Sequence, residues 1–386
     1  MTGSLYIHVP FCLSKCIYCD FYSVPINPRL TGDYVEALCR ELTLRHDIAD
    51  DLKTVYIGGG TPAILSEADI SKIMDAVREN YHIQPDAEIT IEANPKTITP
   101  DKAKSFLSSG LNRISMGIQS FSDEELLILG RAHNAEDAIK TFGDLRDAGF
   151  KNISIDLIYG IPGQSLEQWG FTLQRAIELG PEHISAYELT PEQGTPLFGM
   201  LKQGKLVMPD EDTITDMFYK GIDTLNEHGY THYEISNFAK PGFQCRHNLN
   251  YWDRGEYIGM GASAHSFSGR TRTANISDVT KYIEGIKIGK LPVSETTEIS
   301  EDEELSELIF LGLRKTEGIS LNLFPDETAE TIKKAVKDSQ LHGLIELNGN
   351  NLRSTRKGLI LNNEVICRVL SYIEKNRPVQ SKSVCP

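Results

Sequence analysis

No stretch of the sequence approaches the ~18 consecutive apolar residues that a membrane-spanning helix needs. Basic side chains are outnumbered, 39 against 54 acidic, which leaves a net charge of −15. A protein built to grip nucleic acid needs clustered Lys and Arg against phosphates, so nucleic acid is not an expected partner. Low-complexity segments are absent, and nothing repeats beyond an alternation of strand and helix patterns. A secretory leader has no room, because the strand-like LYIHVPF begins at Leu5. A cytoplasmic location is therefore expected. Cysteine is sparse as well: seven among 386 residues is too thin for a disulfide scaffold.

What the sequence does hold is a succession of short β-branched or aliphatic runs. They are LYIHVP from Leu5, TVYIGG from Thr54, EITIEA from Glu88, RISMGI from Arg113, ISIDLIYG from Ile153 and HISAYEL from His183. Helix-like stretches lie between them, such as DYVEALCRELTLRH from Asp33, EADISKIMDAVRENY from Glu67 and AEDAIKTFGDLRDAG from Ala135. Repeated βα units of this kind predict a parallel sheet. Six of them indicate a partial (β/α)6 barrel, with chemistry at the C-terminal strand ends. An open doubly wound sheet is the competing layout, and no GxGxxG follows the first strand to support it. YTHYEISNF from Tyr230 reads as one further strand. From about residue 295, an acidic-headed helix pattern, a second helix and a hairpin around Asn348-Gly349 predict a small winged-helix-like unit. The expected division is residues 1–230 for the barrel, 231–294 for an extension and 295–386 for the C-terminal unit.

Three of the seven cysteines, Cys12, Cys16 and Cys19, fall within eight residues directly after the first strand. A structural zinc site wants four closed ligands and usually a second CxxC knuckle, which is missing. Three thiolates on one loop suit three irons of a [4Fe-4S] cluster, leaving the fourth open to an exchangeable ligand. A redox centre is the fallback reading. Gly58, Gly59 and Gly60 end the second strand and let backbone approach a charged ligand closely. Polar residues recur near later strand ends: Glu92, Gln119 and Asp156, with Arg131 following in LGRAH. Each alone could be an ordinary buried polar group; together they outline a site.

CxxxCxxC after the first strand of a βα array resembles the signature of the radical S-adenosylmethionine (SAM) superfamily. YIHVPFC, YIGGGTP, IEANP, RISMGIQSF, LGRAH and IDLIYGIPGQ, in this order, are similar to the oxygen-independent coproporphyrinogen III oxidase-like family over nearly the whole chain. The resemblance implies a [4Fe-4S] cluster on Cys12, Cys16 and Cys19. It also implies SAM contacts at Tyr6, Tyr18, Gly59, Gly60, Thr61, Glu92, Gln119, Arg131, Asp156 and Thr190. The cofactors would carry the chemistry, reductive cleavage of SAM to a 5′-deoxyadenosyl radical, with electrons from an external donor.

Two branches of that family differ here. The decarboxylases carry a longer N-terminal arm and a fourth cysteine two residues after the third, where this sequence has Phe21. The heme-chaperone branch lacks both and carries an HNxxYW element, present as His247-Asn248-Leu249-Asn250-Tyr251-Trp252. The resemblance thus implies heme as a ligand, passed on to acceptor hemoproteins such as membrane-bound respiratory enzymes, with coproporphyrinogen decarboxylation as the alternative activity. His247 is the expected heme contact, since imidazole is the commonest protein ligand of heme iron. Tyr251 and Trp252 would supply flat surfaces for the macrocycle. Cys245 and His265 are alternative ligands, and a packed loop is the alternative role for the element. The terminal Cys385-Pro386 resembles a heme-regulatory dipeptide and is read as tail.

Overall fold

Period-2 alternation decides which side of the sheet each strand residue serves. The computed structural model describes residues 2–46 and 51–376. Six parallel strands, each followed by a helix, build the N-terminal array. These are β1 (Thr2–Val9), β2 (Asp51–Gly59), β3 (His82–Ala93), β4 (Arg113–Gln119), β5 (Ile153–Tyr159) and β6 (His183–Glu188). They pair in chain order, β1 to β6. Helices α1 (Pro28–Leu44), α2 (Glu67–Asn80), α3 (Pro100–Ser108), α4 (Ala135–Ala148), α5 (Leu166–Leu179) and α6 (Glu211–Glu227) follow the strands in turn. Their starts are written locally: capping boxes form at Ser66/Asp69, Asn134/Asp137 and Ser165/Gln168. Gly149 and Gly180 end α4 and α5 in the left-handed conformation.

This is a partial (β/α)6 barrel, and its sheet extends at both edges. Beyond β6 lie β8 (Asn237–Ala239) and β7 (Thr231–Glu234). Beyond β1 lie β9 (Tyr257–Met260), which is parallel to it, then β10 (His265–Ser268), β11 (Thr271–Asn275) and β12 (Val293–Glu298). The segment from Tyr230 is thus two strands rather than one. A turn at Ile235-Ser236 breaks it, which lets Asn237–Ala239 pair antiparallel with β6.

Leu5, Ile7, Val55, Ile57, Ile91, Ile114, Met116, Ile155, Leu157 and Ile184 are fully buried and form the layer between sheet and helices. The alternate residues are polar: Thr54 and Tyr56, Glu88 and Glu92, Arg113 and Ser115, Ser154 and Asp156, His183 and Ser185. They face the inside of the curve. The barrel therefore has an apolar jacket and a polar lumen.

A second compact unit comprises, among the described residues, 299–376 together with Tyr233–Ile235 and Tyr251–Arg254. It runs α8 (Glu301–Gly312), β13 (Ile319–Ser320), α9 (Asp326–Ala335), the hairpin β14 (Ile345–Asn348) and β15 (Asn351–Ser354), and α10 (Asn362–Asn376). The strands form a three-stranded sheet with β15 central, so the unit is winged-helix-like. Gly349 takes φ 60° in the hairpin turn. The basic tail contains a helix that the sequence patterns did not reveal. Val365, Ile366, Val369 and Ile373 of α10 enter the core with Ile309, Ile332 and Leu352, while its basic residues stay outside. Cys385-Pro386 lies outside the described residues.

Gly318 gives a direct test of this unit. It sits at φ 76°, and a Cβ there would lie 2.0 Å from the Leu352 carbonyl oxygen. Gly318→Ala is expected to lower stability by about 3 kcal/mol, the joint cost of strain and backbone displacement. A melting temperature matching the parent's would refute that packing.

Candidate functional site

A cavity of about 560 Å³ opens at the C-terminal ends of the barrel strands. Its upper wall is the loop after β1. Phe11-Cys12 pairs with Val24-Pro25, which closes residues 12–25 into a self-contained excursion. Cys12, Cys16 and Cys19 are free, half-buried and line the cavity. The loop is tied to the end of β2: Gly60 donates to the Val9 carbonyl at 2.9 Å and Thr61 to that of Phe11 at 2.8 Å. A Cβ on Gly60 would lie 2.5 Å from the Phe11 carbonyl oxygen, so only glycine permits this approach.

Arg131 Nη1 donates to Cys16 Sγ at 3.3 Å, and its Nη2 donates to Asn94 Oδ1 and the Gly117 carbonyl, both at 2.6 Å. These three bonds fix the guanidinium against the cysteine loop. Burial pushes the Cys19 thiol up, which opposes ionisation until a cation is present. Among the described residues no three His, Cys, Asp or Glu side chains converge on one metal ion. A cubane does not ask for that convergence, because each thiolate binds a different iron. The donor set fits a multi-iron cluster and not a single ion.

Beneath the loop the lumen is lined by Tyr56, Glu92, Asn94, Arg113, Ser115, Gln119, Asp156 and Asn248. Glu92 Oε1 accepts from Tyr56 Oη at 2.9 Å, and Oε2 accepts from the Gly59 amide at 3.0 Å. Burial pushes its carboxyl up to about 7, despite the lowering hydrogen bond from Tyr56. Asp156 is likewise raised, mainly by burial; it accepts from Ser115 Oγ at 3.3 Å. Gln119 holds φ 72°, a left-handed conformation unusual for a side-chain-bearing residue, at an irregularity in the β4–β5 register. Such local strain aims the side chain into the cavity and marks functional positions.

The expected residues fall into two groups. Tyr18, Gly59, Gly60, Thr61, Glu92, Gln119, Arg131, Asp156 and Thr190 line the cavity with the three cysteines. Tyr6 stands behind it, donating to or accepting from His8 Nδ1 at 2.9 Å and stacked on Tyr56. His247 also lies outside the lining. It is 1% exposed, its Nδ1 is 2.7 Å from Thr54 Oγ1, and its ring stacks on Tyr56. The imidazole, on α7 (Arg246–Trp252), is buried among the inward-facing residues of the barrel strands. Cys245 is buried too, donating to Glu88. Asn248 is the residue of the HNxxYW element that reaches the cavity, and it was not anticipated. Tyr56, Arg113 and Ser115 were also missed, although period-2 alternation places them on the same face as Glu92 and Asp156.

Comparison with known proteins agrees with this geometry. Residues 6–176 match the model of the Radical SAM superfamily, and residues 299–361 that of the HemN C-terminal domain. The chain is 38% identical to the heme chaperone HemW of Bacillus subtilis, covering 94% of this chain and 97% of that protein. It is 45% identical to HemW of Escherichia coli over 68% of this chain and 69% of that protein. Among solved structures, coproporphyrinogen III oxidase (HemN) from Escherichia coli superimposes with a TM-score of 0.81 at 26% identity, covering 96% of this chain and 90% of that one. Fold, cysteine loop, cavity and near full-length similarity agree: the chain belongs to the HemW family of radical SAM proteins.

Proposed function

We propose that this protein is a heme chaperone: it binds heme and delivers it to acceptor hemoproteins, and it carries a [4Fe-4S] cluster and SAM. Similarity to a heme chaperone across 97% of that relative's length is the observation that carries the reading. Cys12, Cys16 and Cys19 hold the cluster; Gly59, Gly60, Thr61, Glu92, Gln119, Arg131, Asp156 and Thr190 surround SAM. The cofactor pair supplies one-electron chemistry when an external donor reduces it. The chain's own residues exclude water, orient the amino acid and sugar, and set the local charge. Glu92 and Asp156 offer carboxylates to an ammonium or to hydroxyls, and Arg131 balances the anionic end.

Phe21 separates this reading from decarboxylation of coproporphyrinogen. It occupies the position of the decarboxylases' additional cysteine, and its side chain is 69% exposed at the cavity rim. A phenyl group there can contact a macrocycle but cannot ligate metal. No helix among the described residues is long and apolar enough to cross a membrane. Cytoplasmic residence, with acceptors that include membrane-bound respiratory enzymes, completes the proposal.

Two anaerobic assays test it. Titration with heme is expected to give a saturable Soret band at one heme per chain. Incubation with coproporphyrinogen III, SAM and reductant is expected to leave the porphyrinogen unchanged. Decarboxylated product formed without any second enzyme would overturn the proposal, as would the absence of a Soret shift.

A further inference from the structure

The IEANP segment places one side chain between the hydrogen-bond donors of two cysteines. Asn94 follows β3 directly, and Thr97 fixes its backbone. The Asn94 amide donates to Thr97 Oγ1 at 3.2 Å, and that hydroxyl donates to the Asn94 carbonyl at 2.6 Å. The carboxamide lies over Gly117 of β4, where a Cβ would come within 2.9 Å of Asn94 Oδ1. Glycine at that position leaves the room.

Two hydrogen-bonded arms run from Asn94 to the cysteine loop. Its Oδ1 accepts from Arg131 Nη2 at 2.6 Å, and Arg131 Nη1 donates to Cys16 Sγ at 3.3 Å. Its Nδ2 donates to Thr61 Oγ1 at 3.0 Å, and that oxygen lies 3.7 Å from Cys12 Sγ. The order of the protons is forced. A guanidinium only donates, so the carboxamide atom facing it is oxygen, and nitrogen faces Thr61. Thr61 accepts there, which leaves its own hydrogen for Cys12. A cysteine sulfur that binds metal is a thiolate and has no proton to offer in return.

We infer that Asn94 is a positioning residue for the cluster: it aims Arg131 and Thr61 at the sulfurs of Cys16 and Cys12, and so raises the potential at which the cluster accepts an electron. Hydrogen bonds to the ligand sulfurs are among the features that set an iron-sulfur potential. Donors stabilise negative charge on sulfur, and the reduced form carries one electron more, so it gains more from them. Reduction takes one electron from an external donor and neither makes nor breaks a bond in the protein. The inference rests on the reading of Cys12, Cys16 and Cys19 as cluster ligands.

The test is an anaerobic redox titration of cluster-loaded protein with dithionite and mediators, followed by electron paramagnetic resonance, with iron content measured in parallel. SAM is left out, so any contact of Thr61 or Arg131 with it drops from the readout. Thr61→Val removes one arm. It is expected to lower the midpoint by a tenfold change in the reduction equilibrium, the scale of one hydrogen bond to a charged group, or about 59 mV for one electron. Asn94→Ala releases both arms and should lower the midpoint further. The double variant should stay at the Asn94→Ala value, because Thr61 is aimed through Asn94. Asn94→Leu, of similar volume, replaces the alanine variant if that one does not fold. A midpoint equal to the parent's in the Asn94 variant at equal iron content, or losses that add in the double variant, would overturn the inference. So would the parent's midpoint in Thr61→Val, whether or not the Asn94 variants load iron. Failure of the parent protein to take up about four irons per chain would instead overturn the cluster reading, and the inference with it.

Discussion

Cys16→Ala protein, reconstituted anaerobically with iron and sulfide, is expected to fall from about four irons per chain to near none. Its broad absorbance near the visible edge should vanish with them. The three cysteines share one short excursion closed by the pairing of Phe11-Cys12 with Val24-Pro25. No fourth cysteine adjoins them, because position 21 is phenylalanine. Losing one thiolate from such a set leaves two, too few to hold a cubane against hydrolysis and exchange. Cys16 also accepts the hydrogen bond from Arg131, which ties the loop to the cavity wall. Cys39→Ala serves as the control, since its thiol donates to the Lys72 carbonyl away from the cavity. Iron and sulfide contents equal to the parent's in Cys16→Ala would show that the cluster lies elsewhere.

Glu92 gives the second large effect, and its sign differs between binding and stability. Burial raises its carboxyl to about 7, with Asp156 adding to the shift while Tyr56, Gly59 and Arg113 oppose it. In the proposed function SAM brings an ammonium and a sulfonium, which would favour the ionised carboxylate. SAM affinity should therefore fall as pH drops below about 7, by up to about tenfold per pH unit. Glu92→Gln should flatten that dependence and cost about thirtyfold at pH 8, near 2 kcal/mol for a charged hydrogen bond.

Stability without SAM runs the other way. The unfolded chain releases the Glu92 proton near 4.5, whereas the folded protein holds it until about 7. Between those values the folded state binds more protons, so stability is lost as pH rises through the window. The loss amounts to roughly 3 kcal/mol above pH 7. Glu92→Gln removes it, so the variant should melt at a higher temperature than the parent at pH 8 while binding SAM more weakly. Equal melting temperatures across the window would mean that Glu92 is not the strained, desolvated acid described here.

This opposition between stability and binding has its origin in strand patterning. RISMGIQ, ISIDLIY and HISA each alternate apolar with polar or small residues. In an ordinary two-layer sheet such alternation puts the polar side in water. Here the polar side is curled inward, which desolvates Glu92 and Asp156.

The sequence by itself determined the six βα units, the cysteine loop, the glycine approach at residues 58–60 and the polar residues near strand ends. These features are local: they depend on period, spacing and single-residue backbone freedom, all of which adjacent residues express. The α10 helix escaped because its basic residues mask a narrow apolar stripe. The split of the Tyr230 segment escaped because a turn between two short strands leaves the alternation unbroken. Only the tertiary structure decided the surroundings of His247. Its neighbours Thr54, Tyr56 and Glu88 lie about 160 to 190 positions earlier in the chain, and nothing in the local HNLNYW pattern announces them. The buried Glu88 carboxylate, accepting from three donors of residues 245–247, fixes that placement, because a desolvated carboxylate needs donors and this segment supplies them.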